Sequence, residues 1–428
     1  MPTFHPILRK SYWFLAGLGG LWAVFILCLT NATFQRHVLY ARKVQSGNFW
    51  HDVSNPEAFG FAKGQVQPFY LNTTDRETLF CWHVLPLDVY LENEDEIVRK
   101  AGGVSENLKE TVGYKLLMRD PDGRVVVNFH GNAGHVAQGY RPSTYRSISG
   151  IPHTHLLTCD YRGFGHSTLR NNPHIPTESG VITDGVSLVS YILHTLQHPA
   201  DRTVLLGQSL GTAVTAATAL YFTDPSTRHL PHSITHPSPI PKTAESFAGI
   251  ILVASFPDIP VLLKSYKISG IIPILSPLNG YPKIAAYLST KVVDHWPTLL
   301  RLQYLLSASK TAKSSPAVHI TVLHARNDQD IDFRLGEAVY LGLEQIVLGE
   351  ANAEPVHERR TIQGQENVRR GAFAYRRVED GEGRRVVELE VVRYGGHNQV
   401  VSFPQVNLAV RRAWEGNRRV GKVGLDVE

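Results

Sequence analysis

The chain has 428 residues, of which 43% are hydrophobic and 19% charged; this excludes a disordered or fibrous protein and leaves ample material for a core. Lys and Arg exceed Asp and Glu by 43 − 38 = 5, a mild basic excess spread along the chain, which gives no case for a nucleic-acid partner and is compatible with an anionic membrane surface. Three cysteines are too few for a disulfide scaffold: Cys28 lies in an apolar run, and Cys81 and Cys159 are free either to pair or to stay reduced.

Tyr12 to Thr30 is a stretch of 19 residues without a charge. At about 1.5 Å per residue it reaches roughly 28 Å, enough for a bilayer core. Arg9 and Lys10 precede it and Arg36, Arg42 and Lys43 follow it, so flanking charge does not orient it. The competing assignment is a cleaved signal peptide. That would have a shorter apolar region, about 7–15 residues, and a small-x-small cleavage site, which Thr30-Asn31-Ala32 supplies poorly. The expectation is a single-pass membrane anchor over residues 1–34, a polar linker over 35–60, and one large domain over 61–428. Asn72-Thr73-Thr74 is an N-glycosylation sequon beyond the span and favours a lumenal body.

Short β-rich runs then alternate with helical patterns. Candidate strands are Val66–Leu71, Leu79–Leu85, Val125–Phe129, His155–Cys159, Thr203–Leu206, Gly249–Ala254, Val318–Leu323 and Val387–Val392. Several are continuous apolar runs, as parallel strands covered on both faces should be. Gly180–Leu196 has helical spacing, and Leu210–Tyr221 is apolar almost all round, which predicts a buried helix. The alternation predicts an α/β fold with a mostly parallel central sheet and helices on both faces. Two segments stand outside it. Residues 257–316 are apolar and punctuated by proline and read as a helical cap; residues 349–385, with Arg359, Arg360, Arg369, Arg370, Arg376, Arg377, Arg384 and Arg385, read as a polar surface insertion.

The chemistry centres on Gly207-Gln208-Ser209-Leu210-Gly211, a G-x-S-x-G pattern with an apolar strand before it and an Ala-rich helix after it. That context makes it a nucleophile elbow, with Ser209 presented at a helix N-terminus. A serine hydroxyl needs a base and an orienting acid, which in such folds follow in the order acid, then His. Asp328 lies just past the strand beginning at Val318, with Asp330 and Asp332 as rival acids; His397, after Gly395-Gly396, lies just past the last strand. Two backbone N–H donors must receive the oxyanion. Leu210 supplies one, and His130-Gly131-Asn132-Ala133-Gly134 supplies the other from Asn132, with Ala133 the alternative. Asp160-Tyr161-Arg162-Gly163-Phe164-Gly165-His166-Ser167 reads as a structural brace.

Taken in order, HGNAG, DYRGFGHS, PTESG (Pro176 to Gly180), GQSLG, HARND and GGHN resemble the α/β-hydrolase-domain serine hydrolases. Within that group they are most similar to the membrane-anchored monoacylglycerol and lysophosphatidylserine lipases. The resemblance implies an α/β-hydrolase fold with Ser209 as nucleophile, Asp328 as acid, His397 as base, and Asn132 and Leu210 as oxyanion donors. It also implies one amino-terminal span with a lumenal or extracellular catalytic body, and the expected place is the endoplasmic reticulum with the catalytic domain in its lumen. The partners it implies are a lipid ester, monoacylglycerol or lysophospholipid, and the bilayer itself; no protein partner can be inferred. The Arg-rich insertion departs from the family pattern, and no HxxxxD acyltransferase motif follows His397. No cofactor is expected and no metal ligand set is convincing; Gly163-Phe164-Gly165 lacks the third glycine of a dinucleotide fingerprint. Fold and triad do not fix the substrate, so a peptidase or small-ester hydrolase, or an inactive membrane scaffold, are the alternative functions.

Overall fold

The computed structural model describes residues 6–44, 51–237, 243–267, 275–308, 317–349, 366–370 and 373–423. Its centre is a ten-stranded sheet. The strands are β1 Val66–Asn72, β2 Thr78–Val84, β3 Arg124–Phe129, β4 Thr154–Cys159, β5 Thr203–Gln208, β6 Gly249–Val253, β7 Val318–Ala325, β8 Glu366–Arg370, β9 Phe373–Glu379 and β10 Arg385–Val392. Their spatial order is β1-β2-β4-β3-β5-β6-β7-β10-β9-β8. Each neighbouring pair from β4 to β10 is parallel, and antiparallel pairs flank them on both margins. The continuous apolar runs have the expected cause: β4, β5 and β6 are buried along their whole length.

Two core layers cover the sheet. One packs Leu205, Leu252 and Val322 against the helices Glu178–Ser190, Leu210–Thr223 and Phe333–Leu348. The other packs Leu206, Val253 and Leu323 against Val406, Val410 and Trp414 of the carboxy-terminal helix. Every residue of Leu210–Thr223 is buried, as its all-round apolarity predicts. Within the segment read as a cap, Pro282–Ser289 is a helix with no buried residue, whereas Thr298–Ala308 sends Leu302, Leu305 and Leu306 into the core. The run Ile271 to Ile274 lies outside the described residues.

The amino-terminal region is helical from Pro6 to Cys28, called α1 here. It contains the one helix, among the described residues, long and apolar enough to cross a membrane, with a mean hydropathy of 1.7 over Arg9–Cys28 and little of it buried. The segment read as a polar linker begins instead within a second helix, α2, Ala32–Tyr40, which starts in the last residues assigned to the anchor. Asn31 caps it by accepting from the Phe34 N–H at 3.1 Å. Tyr40 is buried against the domain, its hydroxyl donating to Asp294 at 2.9 Å, and Arg36 reaches the same carboxylate at 3.1 Å. The polarity that suggests a loop is thus the polarity of a docking contact.

The Arg-rich insertion also holds more structure than its composition suggests. β9 pairs with β10 and β8 with β9, extending the sheet by a hairpin. The Arg377 guanidinium reaches Glu388 of β10 and Glu379, so charge is neutralised along the strands. Arg359 and Arg360 lie outside the described residues. Cys81 and Cys159, directly opposite each other on β2 and β4, form a disulfide.

Candidate active site

β5 ends at Gln208 and the helix Leu210–Thr223 begins two residues later, leaving Ser209 to make the turn with φ 53° and ψ −122°. A side chain at φ > 0 is strained, and here neighbouring backbone enforces it. The Ser209 N–H donates to the Val253 carbonyl at 2.9 Å. A Cβ at Gly211 would land on the Phe129 carbonyl, and one at Gly207 on the Gly211 carbonyl, so the turn closes only with glycine at both. Ser209 thereby stands at the positive end of a 14-residue helix.

β7 and β10 are parallel neighbours in register to their last residues, Ala325 opposite Val392, so the loops after them open side by side. Asp328 and His397 occupy those loops, with His397 Nδ1 2.9 Å from Asp328 Oδ2. The Asn327 side chain accepts from the Gly396 N–H at 2.9 Å and pins one loop to the other. Gly395 takes φ 116°, a conformation that only glycine adopts freely. The Gln208 side-chain amide donates to the His397 carbonyl at 3.0 Å, tying the histidine loop to the residue before Ser209. Ser209 and His397 share no hydrogen bond among the described residues, a looseness common in unliganded sites.

The rival acids stand nearby in the same loop. Asp330 donates its backbone N–H to Asp328 Oδ1 at 2.9 Å, and Asp332 caps the helix Phe333–Leu348 by accepting from the Arg334 N–H at 3.0 Å. Asp328 itself is 8% exposed. Burial alone would raise its carboxyl, but hydrogen bonds and charge from His324 and His397 outweigh burial and hold it well below the usual carboxylate range. For His397, burial lowers the pKa, while the bond to Asp328 and the charges of Asp328 and Asp330 raise it to a net value above the ordinary 6.5.

His324 is a participant that the sequence reading passed over. Fully buried at the end of β7, it directs Nε2 to the Ile331 carbonyl at 3.0 Å and to Asp328 Oδ2 at 3.3 Å. A carbonyl only accepts, so Nε2 carries the proton and also faces the carboxylate.

After β3, Gly131 packs on the elbow: a Cβ there would meet the Ser209 Cβ at 3.4 Å. The buried guanidinium of Arg141, also missed in the sequence, donates to the carbonyls of Gly131 at 2.7 Å and of Asn132 and Ala133 at 2.9 Å. It fixes three successive peptide planes. The Ala133 N–H is taken by Asn132 Oδ1 at 2.8 Å, while the Asn132 N–H makes no hydrogen bond among the described residues. Leu210, the first helical residue, has no intrahelical acceptor for its N–H. Both N–H groups thus belong to residues that line one cavity with Ser209. The His130 ring bonds the Gly131 carbonyl at 2.7 Å and is fully buried. In the DYRGFGHS stretch, Asp160 accepts from the Val136 N–H at 2.6 Å and Arg162 bridges Asp75 and Asp184. Both observations fit bracing.

Ser209, Leu210 and Asn132 lie on the wall of a cavity of about 250 Å³ whose other walls include Phe256, Ile259, Leu263, Leu288 and Val292. Among the described residues no cluster of three His, Cys, Asp or Glu side chains could hold a metal ion.

No protein-family model matches the chain. The lysophosphatidylserine lipase ABHD12 of Rattus norvegicus is 26% identical over 345 residues, covering 78% of this chain and 71% of that protein. Protein ABHD12B of Homo sapiens is 30% identical over 146 residues, 34% of each chain. Among solved structures, an alpha-beta hydrolase from Vibrio vulnificus aligns with a TM-score of 0.51 at 13% identity, covering 90% of this chain and 92% of that one. The strand order and the Vibrio alignment agree on an α/β-hydrolase fold, and over most of its length the chain is similar in sequence to the lysophosphatidylserine lipase ABHD12.

Proposed function

We propose that the chain is a membrane-anchored esterase that cleaves a single-chain lipid ester, a monoacylglycerol or lysophospholipid, through an acyl-enzyme on Ser209. His397 accepts the Ser209 proton as Oγ attacks the ester carbonyl carbon. Asp328 orients the imidazole and stabilises its charged form. The developing oxyanion accepts from the Leu210 and Asn132 N–H groups. The tetrahedral intermediate collapses by breaking the bond to the alcohol oxygen, which takes the proton from His397. Water activated by the same histidine then attacks the acyl-Ser209 carbonyl; the bond to Oγ breaks, Oγ takes the proton back from His397, and the fatty acid leaves.

The observation that carries the lipid assignment is the cavity around Ser209, lined mainly by aliphatic and aromatic side chains. An acyl chain gains about 0.8 kcal/mol for each CH₂ removed from water. The substrate named for the rat relative, lysophosphatidylserine, is a single-chain lipid. The Cys81–Cys159 disulfide and the exposed Asn72 sequon favour a body in an oxidising lumen, that of the endoplasmic reticulum in this reading.

The reading is tested with monoacylglycerols and lysophospholipids of increasing chain length, kept below their aggregation thresholds. kcat/KM is expected to rise along each series until the cavity is full, and Ser209→Ala to lower turnover by about 10⁴–10⁶. A flat profile, or dipeptide amides cleaved faster than every lipid, would overturn it.

A further inference from the structure

The cavity around Ser209 is not made by the catalytic domain alone. Phe25 and Ile26 of α1, Leu29 just after it, and Val38 and Leu39 of α2 also line it. Ile26 is 8% exposed, whereas Leu21 and Leu27 on the same helix are each 69% exposed, so the last turn of α1 presents one face to the domain and leaves the rest free. The Phe25 ring meets Phe34 of α2 edge-on at 5.9 Å.

This arrangement is held by specific polar contacts. Gln35 donates to the Lys291 carbonyl at 2.6 Å and accepts from the Val293 N–H at 3.1 Å. Arg36 and Tyr40 share Asp294, and the Asn132 side-chain amide donates to the Leu39 carbonyl. A tether needed only to keep a domain near a membrane would require none of these. The last bond joins α2 to the residue assigned as an oxyanion donor.

The opposite wall points to the same neighbour. The helix Pro282–Ser289 contributes Ala285 and Leu288 to the cavity, and beside them it exposes Ile284 at 49% and Tyr287 at 59%, with Tyr281 at 60% just before it. Exposed tyrosines beside apolar residues suit the boundary between headgroups and acyl chains.

We propose that the end of the anchor helix is itself a wall of the acyl-binding site, so that the chain of the lipid ester passes from the bilayer into the cavity between α1 and Pro282–Ser289 without crossing water. The inference rests on the lipid-esterase reading and adds to it a place and a route. A chain anchored only for proximity would have to expose its substrate's methylenes to water on the way in; a continuous apolar wall removes that barrier.

The test uses the full-length protein in phosphatidylcholine nanodiscs and reads one quantity, kcat/KM for a hexadecanoyl ester divided by kcat/KM for the butyryl ester of the same alcohol. The fraction of active enzyme cancels in this ratio, so misfolding cannot imitate the effect. Ile26→Trp and Leu29→Trp fill the α1 side and are expected to lower the ratio roughly tenfold or more by excluding several methylenes. Leu21→Trp, on the exposed side of the same helix, is expected to leave it unchanged. Leu288→Trp fills the opposite wall and is expected to lower it as well. If Leu288→Trp lowers the ratio while Ile26→Trp and Leu29→Trp match the wild type, the cavity takes the chain but α1 is not its wall, and the inference falls alone. If the wild-type ratio itself shows no long-chain preference, the lipid reading beneath it falls.

Discussion

Asp328 carries a charge shared by two imidazoles, and this shapes the pH dependence of the site. Its carboxyl is held so low by His324 and His397 that it stays ionised throughout the range in which His397 titrates. In the proposed mechanism the acid limb of a kcat/KM profile therefore reports His397. That histidine must be neutral to act as a base, and its pKa is raised, so activity falls as pH drops through a value above the ordinary 6.5. Asp328→Asn removes the charge that favours imidazolium; it should move the inflection down and lower kcat/KM by about 10³–10⁴. Asp330→Asn, which removes a distant charge, should move the inflection slightly downward and cost less than about tenfold. A larger loss in Asp330→Asn than in Asp328→Asn would transfer the role of acid. His324→Leu leaves the buried carboxylate one donor short and should destabilise the fold by about 1–3 kcal/mol in chemical denaturation. The sequence pointed to Ser209, Asp328 and His397 through strand ends and glycines. It hid His324, which sits inside an apolar strand run, and Arg141, whose acceptors are backbone carbonyls and leave no side-chain pattern.

α2 and the β8–β9 hairpin are the elements that composition obscured. Both are polar in sequence, and both place that polarity in contacts: Arg36 and Tyr40 on Asp294, Arg377 on Glu379 and Glu388. A charge run does not reveal whether its partners lie in water or 250 residues away. The apolar strands were legible because parallel strands buried on both faces can contain little else. Asp294 is 4% exposed, and Arg36 is partly solvated, which tempers the strength of the pair. Asp294→Ala should therefore cost about 1–3 kcal/mol and release α2. Limited trypsinolysis of the variant should cut faster at Arg36, Arg42 and Lys43 than in the wild type. Equal cutting rates would mean that the docking of α2 does not depend on this carboxylate. At the elbow, Gly211→Ala drives a methyl into the Phe129 carbonyl and should abolish folded expression or activity. An active Gly211→Ala enzyme would contradict the turn geometry.

For the whole molecule, the parallel strands gather Ser209, Asp328 and His397 just past their carboxyl ends, and the proposed anchor sets that end of the sheet against lipid. The full-length chain should remain in the membrane pellet after alkaline carbonate extraction; free extraction would remove the anchor from the account. The disulfide gives an independent count. The denatured, unreduced protein should react with a maleimide at Cys28 alone, and at Cys81 and Cys159 as well after reduction. Three reactive thiols before reduction would argue for a reducing compartment and against a lumenal body. The pairing was open in the sequence because only strand register, Cys81 opposite Cys159, brings the two together.

The proposed function depends first on Ser209 acting as the nucleophile. The most direct measurement is fluorophosphonate labelling of the full-length protein followed by mass spectrometry of its tryptic peptides. The adduct is expected on Ser209 in the peptide Thr203–Arg228, and it should be lost in Ser209→Ala and slowed in His397→Ala. An adduct on another residue, or undiminished labelling of Ser209→Ala, would contradict it.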